Sequence, residues 1–62
     1  MTETKVFDGK TYHYYRTANT PLNAKDAAEG IRTDGYFVRL VVHKGKSQGM
    51  HWYRADIYRR KK

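Results

Sequence analysis

The chain has 62 residues, a formal net charge of +7, 39% hydrophobic and 31% charged residues, and no cysteine. That length allows a single small domain with a thin core, burying only about 60% of its unfolded surface, and the missing cysteines exclude disulfide and cysteine–zinc staples. No apolar run approaches the roughly 18 residues of a membrane span, the polar stretch Met1–Lys10 does not read as a signal peptide, and a cysteine-free chain is expected in a reducing cytoplasm.

Leu, Ile, Val and Phe together number only ten, which with the high charge leans toward disorder. Nine aromatic rings, six of them Tyr, offset this by supplying large apolar surfaces, and the chain reads as one folded but marginal domain with ends fraying at 1–3 and 60–62.

Residues 4–8 read as a short strand, and Asp8-Gly9 as a hairpin turn. Thr11–Arg16 alternates aromatic and polar groups, so residues 4–16 are expected to form a β-hairpin. Thr20-Pro21 then opens a helix, with Thr capping free N–H groups and Pro preset for the first helical position. Ala24, Ala28 and Ile31 recur at helical spacing, Asp34-Gly35 stops the run, and an alanine stripe implies a helix lying close against a sheet. Tyr36–Lys44 reads as a third strand, Lys44–Gly49 as a loop, and Met50–Arg59 as a fourth strand. The predicted class is α+β with order ββαββ: an antiparallel sheet of two hairpins with one helix packed on one face.

Strand alternation divides the last hairpin. Tyr36, Val38, Leu40 and Val42 make the better core set on the third strand, and Tyr53, Ala55 and Ile57 on the fourth. Pairing Phe37 with Tyr58, Arg39 with Asp56, Val41 with Arg54 and His43 with Trp52 would create an aromatic pair and an ion pair, and would set Leu40 against Ala55. One helix covers one face. The open face is then expected to carry Phe37, Arg39, Val41, His43, Trp52, Arg54 and Tyr58, joined by either Tyr12/Tyr14/Arg16 or His13/Tyr15 from the second strand. A small protein does not usually leave such a patch uncovered.

Charge points to the partner that would cover it. Residues 1–34 hold five basic and five acidic groups, whereas residues 35–62 hold eight basic groups and one acid, Asp56. The whole excess therefore lies in the second half, as in a protein that binds a polyanion. The leading expectation is a non-enzymatic nucleic-acid-binding protein. Phe37, Trp52 and Tyr58 would stack on bases, while Arg39, Lys44, Lys46, Arg54 and the tail Arg59, Arg60, Lys61 and Lys62 would hold phosphates. Single strands on the open face and duplex DNA along the last hairpin both fit. The alternative is a homodimeric interaction module in which two open faces pack together and double the core.

No catalytic, metal or small-molecule site is expected. Ser47 is the only serine, and no carboxylate lies in sequence near His43 or His51 to orient an imidazole or complete a ligand set. The run Ile31-Arg32-Thr33-Asp34-Gly35-Tyr36-Phe37-Val38-Arg39, with Ala24 and Ala28 before it and Gly9-Lys10-Thr11-Tyr12 at the opening, resembles a loose group of short ββαββ proteins from archaea and phages. That resemblance implies the ββαββ layout across about residues 6–58 and carries no activity or functional residue with it.

Overall fold

A computed structural model describes residues 3–62. Four strands and one helix follow in the order β1 (Thr4–Phe7), β2 (Lys10–Ala18), α1 (Pro21–Thr33), β3 (Tyr36–Ser47) and β4 (Met50–Lys61). The fold is α+β, and the strands form one antiparallel sheet ordered β1-β2-β4-β3.

The helix begins and ends where its signals stand. The Thr20 hydroxyl accepts from the Asn23 N–H at 3.1 Å, Pro21 opens the first turn, and Asp34 caps the far end before Gly35 at φ 91°. Its buried residues are Ala24, Ala28 and Ile31. Short side chains let it approach the sheet, where Ala18, Ala55 and Ile57 complete the core with Ala27, Tyr36, Val38 and Tyr53 packed around it. Among the described residues, no helix is long and apolar enough to cross a membrane.

Both hairpins close through two-residue turns whose central residues have positive φ: Asp8 at 53° and Gly9 at 77°, Gln48 at 50° and Gly49 at 80°. Such turns match the right-handed twist of the strands they join. The second turn corrects the expected loop at Lys44–Gly49: β3 runs on to Ser47 and β4 starts at Met50. Gly45 lies inside β3 because Trp52, its partner on β4, lays its indole there; a Cβ at position 45 would stand 2.8 Å from the Trp52 ring. A glycine in a strand marks this kind of close approach.

The turn also sets the register. Ser47 faces Met50, so Arg39 faces Tyr58, Val41 faces Asp56, His43 faces Arg54, and Leu40 and Val42 face Ile57 and Ala55. This is two residues from the expected pairing, so each residue keeps its face and changes its partner. A bulge in β2 between Tyr14 and Arg16 resolves the second-strand alternatives. Before it, Tyr12 and Tyr14 share the open face with Tyr58. After it the phase reverses, placing Thr17 beside Asp56 on the open face and Ala18 beside Ala55 in the core.

Glu3 and residues 60–62, expected to fray, are held by backbone hydrogen bonds. β4 continues to Lys61 opposite Tyr36, the Lys62 N–H donates to the Gly35 carbonyl at 3.2 Å, and the Tyr14 N–H donates to the Glu3 carbonyl at 2.7 Å. Residues 1–2 of the expected frayed start lie outside the described residues. Leu40 and Val42, expected in the core, are 37% and 46% exposed because they sit on the edge strand, at the margin of what a narrow alanine-striped helix covers.

Candidate nucleic-acid interface

The face opposite the helix is partly covered by the chain itself. The Phe7 ring meets Tyr12 at 5.2 Å and Tyr58 at 5.8 Å, both edge-on, and Tyr14 meets Tyr58 at 5.8 Å. Tyr12 and Tyr58 are buried as a result, Tyr58 to 2% exposure. Asp8, in the first turn, reaches Arg39 on the far edge strand at 2.7 Å. Three strand spacings of about 4.8 Å separate β1 from β3 in a flat sheet, so the β1–β2 hairpin must curl over the open face to make this contact. Burial pushes the Tyr58 hydroxyl above its ordinary 10.0, with nearby acidic groups adding to the effect.

This arrangement corrects two expectations. Tyr58 is an internal packing residue with no ring face free for a base. Arg39 pairs with Asp8, and Asp56 is held by other groups: the Thr17 hydroxyl donates to it at 3.0 Å, the Tyr14 hydroxyl lies 2.5 Å from that of Thr17, His43 Nε2 stands at 3.4 Å and Arg54 Nε at 3.6 Å. A carboxylate therefore does lie beside His43, brought there by the register and invisible in the linear spacing. The one acid of the basic half thereby has the Thr17 hydroxyl as a donor and the Arg54 cation beside it, which offsets its negative charge locally.

The remaining expected site residues separate into two regions and two faces. At the strand ends, Arg60 and Lys62 lie on the open face, with the Arg60 guanidinium 4.6 Å and Lys62 Nζ 5.3 Å from the Phe37 ring centre. Phe37 is thus already stacked on a cation. Arg59 and Lys61 point to the helix side, and Arg59 is sandwiched between Tyr15 at 4.0 Å and Tyr36 at 4.5 Å. Of the four residues expected as one basic tail, Arg59, Arg60 and Lys61 are strand residues alternating between faces, and Lys62 directly follows the strand.

The second region is the far end of the β3–β4 hairpin. Pairing of β2 with β4 ends at Ala18–Ala55, whereas β3 and β4 stay paired out to Ser47–Met50. Beyond the core, a two-stranded ribbon gives the molecule its length, 41 Å against 22 Å in both other directions. Trp52 and Arg54 lie on one face; Lys44 and Lys46 lie on the other with His51 and Tyr53. Trp52 rests on Gly45 and stays 50% exposed; Met50 is 73% exposed. Met50 and His51 join this region without having been singled out as site residues, since a reading of 44–49 as a loop hid the ribbon.

A hollow of about 400 Å³ lies between Lys44, Lys46, His51, Trp52 and Tyr53 on this ribbon. Among the described residues, no three His, Asp or Glu side chains gather as metal ligands would. Comparison with protein-family models, curated proteins and solved structures finds no match to this chain.

Proposed function

We propose that the protein binds nucleic acid without catalysing a reaction, and that the β3–β4 ribbon is its main contact element. The observation that carries this reading is the projecting ribbon itself, with Lys44, Lys46 and Arg54 around the half-exposed Trp52 and no free acidic group beside them. A two-stranded ribbon fits the B-DNA major groove, about 12 Å wide, and side chains on its two faces and edges can reach the phosphate walls. The self-stacked state of Phe37 and the burial of Tyr58 favour this groove geometry over bases stacked along the open face.

The test is a titration of mixed-sequence duplex and single-stranded DNA, followed by Trp52 fluorescence at several salt concentrations. Binding should weaken linearly on a log–log plot against salt, and Lys44→Gln with Lys46→Gln should flatten the duplex slope by about two units. Absence of binding at low salt, or a slope the double variant leaves unchanged, would remove the ribbon from this role. Tighter binding to the single strand with strong Trp52 quenching would return the contact to base stacking.

A further inference from the structure

The two edges of the sheet differ greatly. β1 offers four residues, whereas β3 offers twelve, with no proline and no bulge. Its middle, Val38–Val42, holds one charge, Arg39, and that side chain is drawn across the open face by Asp8. A long edge that is apolar through its middle, its lysines confined to one end, is a template for another strand.

The ladder identifies which backbone groups are free. The Lys62 N–H bond to Gly35 makes that position a hydrogen-bonded pair. Pairs alternate along an antiparallel ladder, so Tyr36, Val38, Leu40 and Val42 occupy the non-bonded positions toward β4 and turn their N–H and C=O groups outward. These are residues of the helix-side face, and two of them, Leu40 and Val42, are the exposed ones.

We propose that β3 pairs antiparallel with β3 of a second copy of this chain, joining two sheets into one of eight strands. Outward residues must meet outward residues, so even-numbered positions face even-numbered positions. The two-fold axis is then perpendicular to the sheet, and both helices lie on the same side. Centring the pairing on Leu40 sets it against the second copy's Leu40 and Val38 against Val42. It also brings Lys44 to Tyr36, and Lys46 to the level of the helix-cap Asp34. Centring on Val41 would instead oppose Arg39 with His43 and Val38 with Lys44, so charge selects the Leu40 register. The helices have room: each touches β2, β3 and β4, and the two β4 strands would stand three spacings, about 14 Å, apart, beyond the 8–10 Å at which helices touch. This interface is an edge, distinct from face-to-face packing; it takes up Lys44 and Lys46 of the ribbon, so edge pairing and groove binding through these lysines compete, and the test uses the protein without nucleic acid.

Sedimentation of the protein alone, from micromolar to millimolar, tests it. The expected mass rises with concentration toward twice 7.3 kDa. Leu40→Lys puts like charges on the axis, and Leu40→Pro removes an outward N–H while sparing the bonds to β4. Each should raise the dissociation constant at least roughly tenfold while far-ultraviolet circular dichroism stays native. A mixture of L40K and L40E should regain the doubled mass that neither shows alone. If L40P does not fold, L40K and the mixture decide. A wild type that stays monomeric to millimolar, a dimer that survives L40K, or a mixture that stays monomeric would overturn the proposal.

Discussion

Trp52 and Gly45 form one unit: the ring lies where a Cβ would be, and it screens a stretch of strand that glycine leaves bare. Gly45→Ala should therefore push the indole outward, shifting Trp52 emission to the red and costing about 1 kcal/mol in a urea titration. An unchanged spectrum would mean the ring does not rest there in solution. Tyr58 carries a second prediction. Burial raises its folded-state pKa above 10.0, so the neutral hydroxyl favours the fold. The resulting stability is fully present below pH 10.0 and is lost as pH climbs through the raised folded value. Circular dichroism between neutral and strongly alkaline pH should show a loss steepening above pH 10, and Tyr58→Phe should remove that part of the slope.

Among the elements, α1 depends on its cap because its buried stripe contributes little area. Thr20→Ala leaves the Asn23 N–H without its partner and should cost about 1 kcal/mol, lowering Tm by about 4–8 °C for a domain of this size. The bulge in β2 has a different role. By reversing phase after Tyr14, it lets one strand place Tyr14 against Tyr58, with Tyr12 on the same face, and, four residues later, Ala18 in the core beneath the helix. Helix limits and the first turn were legible because caps, Pro and Asp-Gly act over two or three residues. The bulge was not, because every residue around it favours a strand in either phase.

For the whole molecule, charge is the dominant tension. Of the eight basic groups in the last 28 residues, seven lie in two adjacent strands of one sheet and Lys62 directly follows them, with the single carboxylate of Asp56 among them. Their mutual repulsion should be screened by salt, so Tm is expected to rise between low and physiological ionic strength, the reverse of what surface ion pairs alone would give. A flat or falling Tm would mean that the Asp8–Arg39 and Asp56 contacts already balance the field. The candidate site follows the same division. Its residues were readable as basic and aromatic, but the grouping was not: Arg59 is held between Tyr15 and Tyr36, Arg60 and Lys62 stand against a Phe37 that stays 41% exposed, and a second exposed group lies on the ribbon.

Local chemistry along the chain set the element order, the helix and its ends, the first hairpin turn, the faces of residues 36–43 and 52–58, and the half of the chain that carries the charge. Strand alternation and capping are short-range, and they need no neighbour to be read. Tertiary structure alone decided the strand order β1-β2-β4-β3, the two-residue shift of register, the curl that buries Tyr58 beneath Phe7, and the exposed edge of β3. Each depends on which segments meet across the sheet. Pairings two residues apart place the same side chains on the same faces, so only turn geometry and packing separate them.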